Sequence, residues 1–187
     1  MYFNTSISYG CVAKCFHWVI AGLIIFMLFF GYFLGDFSKE LQPVVYNIHK
    51  LTGLSILMLM LLRALWALTN QKPVLPVNTP SWQRSLEVIA QILLYLLVIL
   101  MPLAGWVGSV AANRPPHLGG INFELPISPS KVLANAAFDV HGTVAIMLIV
   151  LISLHVLAAF YHHFIKKDNI LIRMLPWVRS GRNSSIY

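Results

Sequence analysis

Seven histidines in a chain of 187 residues hold the chemistry, and four of them lie in or at the ends of long apolar stretches. His17 opens the first stretch, His49 the second and His141 the fourth, and His155 lies deeper along the fourth. An ionisable group inside lipid is costly, so each is a functional candidate. His141 and His155 are 14 residues apart. At about 100° and 1.5 Å per residue they fall within about 40° of one helix face and about 21 Å apart along it. One helix therefore offers two imidazoles to a bundle interior, one in each leaflet. Depth assigns the partners, His17 with His155 and His49 with His141. Two imidazoles facing each other, without a cluster of thiolates or carboxylates, suit the axial positions of an iron porphyrin, and a bundle core is where such groups are held. Zinc usually takes three or four protein ligands, and each depth supplies two. Cys11, Cys15 and His17 lack the C-x-x-C-H spacing of covalent attachment, so the expected cofactors are two non-covalent haems b. Met101 or Met147 is the alternative axial ligand. For any one histidine the plainer reading is a hydrogen bond to a neighbouring helix. Four residues in two depth-matched pairs argue against it.

Other residues share the 14-residue spacing. Gly31 follows His17 by 14, which puts it at the depth of His49 and His141, where a missing side chain clears space for a porphyrin edge. Gly53, one turn beyond His49, could do the same. A close helix crossing explains either glycine equally well. Arg63 follows His49 by 14 and points inward near the His17–His155 level, where a haem propionate is the natural counter-charge. The competing role is an arginine reaching the headgroups. His162, seven residues past His155, is nearly on the same face and about 10 Å nearer the membrane edge. It could donate to a propionate or to a quinone carbonyl and pass a proton. With His163, Lys166 and Lys167 it also fits a basic anchor for anionic lipid. His117 reads as a surface residue.

The elements that must position these side chains are read from composition. The chain is 58% hydrophobic and 10% charged, with mean hydropathy +0.76, against about 25% charged for an ordinary soluble domain. The expected fold is all-α, an integral membrane four-helix bundle in a single domain over residues 1–187. Its spans are about 14–35, 49–70, 84–112 and 139–165, and 166–187 form a basic tail. The stretches 36–50, 71–87 and 113–140, all containing prolines, read as connections. The net charge is +7. In so apolar a chain it marks orientation rather than nucleic-acid binding. Lys14, Arg63, Lys72, Arg84, Lys166, Lys167, Arg173, Arg179 and Arg182 fall on one side. Lys39, Lys50, Arg114 and Lys131 fall on the other. Both termini are therefore expected in the cytoplasm. Cys11 and Cys15 are too few for a disulfide framework.

The ordered set Phe16-His17-Trp18, Ile48-His49-Lys50 with Gly53, the Arg63 segment, Tyr95, Pro102, Gly105, His141-Gly142, Leu154-His155, His162-His163-Phe164 and Lys167-Asp168-Asn169 resembles the bacterial cytochrome b561 family. The resemblance runs from about Tyr9 to Pro176. It implies a multi-pass protein of the bacterial inner membrane that carries two b haems and exchanges electrons with ubiquinone. It implies axial roles for His17, His49, His141 and His155, and places His162 near the quinone site. At least one member passes electrons from superoxide to ubiquinone. Several members have a histidine in the third helix where this chain has Gln91, which can hydrogen-bond but carries no charge. The outer flanks sum to zero charge, so the sequence leaves the donor open. The alternatives are the membrane-anchor subunit of a periplasmic dehydrogenase and a non-catalytic haem carrier. A monomer and a homodimer are both compatible with the sequence.

Overall fold

The computed structural model describes residues 1–76 and 79–178. Arg179, Arg182 and the rest of the basic tail from residue 179 lie outside the described residues. Four helices are long and apolar enough to cross a membrane: α1 Cys11–Tyr32, α2 Gln42–Thr69, α3 Ser81–Ala111 and α4 Lys131–Phe160. A two-stranded hairpin, β1 His117–Leu118 and β2 Ile121–Asn122, joins α3 to α4. Its turn residues Gly119 and Gly120 both have positive φ, the conformation that a tight hairpin turn requires. Past Phe160 the fourth helix widens into a π-helical turn, Tyr161–Lys166, and a short helix, α5 Ile170–Met174, follows.

Each helix begins earlier than its apolar run. Residues 36–50, expected as a connection, already enter α2 at Gln42. Pro43 sits in its first turn, where a missing N–H would have no helical partner in any case. The outer stretch 113–140 likewise gives way to α4 at Lys131. There Ser130 Oγ accepts from the Leu133 N–H at 3.3 Å and satisfies one of the free donors of the first turn. His49 and His141 thus stand inside helices rather than at their starts, and the helix backbone fixes where their rings point.

The helices pack in chain order, α1 on α2, α2 on α3, and α3 along α4. Among the described residues, α1 and α4 approach each other less closely than any of these sequential pairs. The buried core, Ile20, Met27, Ile56, Met60, Leu97, Val98, Val144 and Leu148, is concentrated midway along the bundle. Most other large apolar side chains of the spans, such as Phe29, Leu65, Ile92, Ile146 and Leu157, face outward. That surface requires lipid as its solvent. The N-terminal segment and residues 170–178 lie at one end of the bundle. Lys14 Nζ donates to Val178 O at 2.9 Å and Trp18 Nε1 to Met174 O at 2.8 Å. This is the terminal end; the other is the hairpin end.

Candidate functional site

Two histidine pairs flank the apolar core, one towards each end. The His17 and His155 ring centres are 6.3 Å apart, and those of His49 and His141 are 6.1 Å apart. A metal midway between two imidazole nitrogens, about 2 Å from each, puts ring centres about 6 Å apart. Both pairs meet that test. Among the described residues no group of three or more His, Cys, Asp or Glu gathers to hold a metal. A metal at either pair therefore needs equatorial ligands of its own, as a porphyrin provides.

At the hairpin end, His141 Nδ1–H donates to the Met101 carbonyl at 2.8 Å. That bond leaves the Nε2 lone pair for a metal, the usual arrangement of a ligating imidazole. His49 Nδ1 is buried without a hydrogen-bond partner, a cost a folded chain seldom leaves uncompensated. Both rings exploit glycines. A Cβ on Gly31 would stand 3.1 Å from His49 Cε1, and one on Gly105 would stand 2.9 Å from His141 Nδ1. The missing side chain of Gly31 makes room for the His49 ring. Gly53 instead faces α3, with Pro102 Cβ at an ordinary 3.9 Å. Gly105 carries no local signal for its role, because only the α3–α4 crossing brings it to His141. Met101 acts through its backbone oxygen, and Met147 points outward.

The hairpin covers this end. Asn47 Nδ2 donates to His117 O at 2.8 Å and Asn47 Oδ1 accepts from His117 N at 3.0 Å. Lys50 Nζ donates to Arg114 O at 2.7 Å. His117 is therefore an exposed strand residue whose backbone pins the hairpin. Lys50, which follows His49 in α2, is thereby held against the backbone of Arg114.

At the terminal end, Arg63 Nη2 lies 3.2 Å from His17 Nδ1. A guanidinium only donates, so Nδ1 accepts and the neutral ring carries its proton on Nε2. Arg63 also sits over the Tyr95 ring, 5.5 Å from its centre. His155 is exposed by area, with its ring turned towards that of His17. Beside Arg63 is a cavity of about 110 Å³, lined also by Tyr9, Trp66, Gln91 and Tyr95. Trp66 Nε1 is buried without a partner, and Phe3 stacks on its ring with centres 5.5 Å apart. Burial, helped by the Glu87 carboxylate, pushes the Tyr9 phenol above its usual range against the opposing pull of Arg63. It stays a neutral hydroxyl. Gln91 Oε1 accepts from Lys72 Nζ at 2.8 Å, and Lys72 also pairs with Glu87 at 2.8 Å. An arginine, an indole N–H and a phenol around one small space suit a carboxylate.

His162 lies in the π-helical turn, with Nδ1 2.5 Å from Asp168 Oδ2. Sequence reasoning missed this partner, because it depends on a chain reversal at Lys167. Cys11 and Cys15 are free and exposed.

The profile of the family described as prokaryotic cytochrome b561 matches residues 8–177. Cytochrome b561 homolog 2 of Escherichia coli K12 is 29% identical over 98% of this chain and 97% of its own length. The probable superoxide oxidase CybB of Yersinia pestis is 29% identical over 90% of this chain and 96% of its own. Cytochrome b562 of Cereibacter sphaeroides is 30% identical over 85% of this chain and 89% of its own. With a match over nearly the whole chain and four apolar helices to carry it, this protein belongs to the prokaryotic cytochrome b561 family of haem b electron-transfer proteins of the membrane.

Proposed function

We propose that this chain takes electrons from superoxide on the periplasmic side of the bacterial inner membrane and delivers them to ubiquinone on the cytoplasmic side. The carrying observation is the two imidazole pairs, 6.1 and 6.3 Å between ring centres, towards opposite ends of one bundle. His49 with His141, and His17 with His155, are the pairs that would hold two haems b. When bound, each haem supplies a one-electron ferric/ferrous couple within reach of the other.

The residues around the pairs do the rest. The Met101 carbonyl holds the His141 tautomer. Ile20, Met27, Val144 and Leu148 keep water out of the space between the two levels. Arg63, with Trp66 Nε1 beside it, would hold a haem propionate, and His17 would then offer a ring nitrogen to the metal. His162 donates a proton to the quinone oxygen. The Lys/Arg distribution of the sequence favours a cytoplasmic terminal end, which leaves the hairpin end to the periplasm. Lys50 and Arg114 beside His49 form a positive patch there, which favours approach of an anion. The Yersinia relative's designation as a probable superoxide oxidase supports the same donor.

Two superoxide anions give up two electrons and leave as dioxygen, and ubiquinone takes those electrons with two protons. The test is purified protein supplied with a superoxide generator and ubiquinone, with quinol formation followed optically. The proposal expects quinol at about one per two superoxide consumed. Haem that is reduced only by an added partner dehydrogenase would favour the anchor-subunit alternative.

A further inference from the structure

The turn after α4 carries a polar arrangement that the haem ligands do not use. The helix widens over Tyr161–Lys166, and such π turns are frequent at functional sites. Lys167 then takes a left-handed conformation with φ of 55°, a region that residues with side chains seldom adopt. The reversal brings Asp168 back over the turn, with Asp168 N donating to His162 O at 3.1 Å. Both carboxylate oxygens are engaged. Oδ2 meets His162 Nδ1 at 2.5 Å and Oδ1 accepts from Ile170 N at 3.0 Å. The two side chains are only 18% and 20% exposed.

We propose that Asp168 is the positioning residue of a proton-delivering dyad, holding His162 so that its Nε2 hands protons to the quinone. This rests on the proposed quinone role of His162. A carboxylate accepts, so Nδ1 keeps its hydrogen in both charge states and Nε2 is the only exchanging atom. On each transfer the Nε2–H bond breaks and an O–H bond forms on the quinone. Neutral His162 regains its proton at Nε2 from water at the terminal end. Two such transfers accompany the two electrons that ferrous haem b supplies, and the quinone leaves as quinol.

The plain alternative is that Asp168 only caps α5, and Asp168→Asn separates the two roles. The amide oxygen still accepts from Ile170 N. The amide nitrogen now donates to Nδ1, which takes the Nδ1 hydrogen away and leaves the neutral ring's proton on Nε2. The full-length protein in detergent is assayed for haem absorbance, for kcat and KM with ubiquinone, for the solvent isotope effect, and with ferricyanide, an acceptor that takes no proton. The dyad predicts intact haem, kcat for ubiquinone lower by about 10²-fold, the low end of general acid–base contributions. It also predicts an unchanged KM, a larger slowing in D2O and an unchanged rate with ferricyanide. Asp168→Ser, whose hydroxyl still caps Ile170 N, carries the same expectation should the asparagine variant fold poorly. His162→Gln should match them. Asp168 variants at wild-type kcat beside a slow His162→Gln would overturn the dyad and leave the His162 role standing. His162→Gln at wild-type kcat would overturn both.

Discussion

Gly105→Ala puts the smallest addition to the molecule against one of the four imidazoles. The new Cβ would stand 2.9 Å from His141 Nδ1 and 3.1 Å from Cε1, closer than real Cβ contacts tolerate. The His141 ring cannot yield freely, because its Nδ1 is held by Met101 O at 2.8 Å. Either the ring shifts and weakens that bond, worth about 0.5–1.5 kcal/mol, or α3 and α4 separate at an overpacking cost of roughly 1–3 kcal/mol. Both displace the His141 ring from His49. At about 1.4 kcal/mol per tenfold, haem affinity at this level should fall on the order of tenfold to a hundredfold. Affinity at the His17–His155 level should not change, because about 21 Å of helix separates the two. Gly142→Ala is the matched control. It neighbours His141 in sequence, and its added Cβ meets nothing within 4 Å. Both variants are titrated with haemin as apoprotein and read by the Soret band. The expected result is one site weakened in Gly105→Ala and two intact sites in Gly142→Ala. Two sites of wild-type affinity in Gly105→Ala would refute the steric reasoning and the role given to His141.

Two further perturbations probe the ends of the bundle. Arg63→Gln removes a fixed cation near the His17–His155 level. Unit charges about 10 Å apart at an effective dielectric near 20 interact by about 1.7 kcal/mol, so the potential of one haem should fall by about 50–100 mV in a redox titration. Two unmoved potentials would count against a propionate partner for Arg63. Lys50→Gln keeps a donor for Arg114 O but removes one charge from the hairpin-end patch. Haem reduction by superoxide should slow about threefold to tenfold at low salt, with the gap closing at high salt as steering is screened. Identical salt dependence in the two proteins would remove the electrostatic argument for an anionic donor.

The four spans were legible because lipid demands apolar runs of helix length, and the residues that form them face outward as those runs require. The 14-residue spacing was informative because α4 is unbroken α-helix from Lys131 to Phe160. His141 and His155 therefore keep the phase that regular geometry assigns, and their rings come within about 6 Å of His49 and His17. The polar first turns of α2 and α4 were illegible, since hydropathy says nothing about helix that extends beyond the hydrocarbon. Gly105 and the Met101 carbonyl acquire their roles only where α3 crosses α4. Asp168 could not be placed beside His162 from spacing. A π turn and a left-handed lysine separate the two, and both depart from the periodicity on which such reasoning depends.

The central claim is tested most directly by counting haem against protein in the purified wild type and in His141→Ala. Pyridine haemochrome quantitation should give two haems b per wild-type chain and one in the variant, with the remaining haem low-spin. One haem in both proteins, or two in both, would contradict the assignment of two imidazole pairs to two haems.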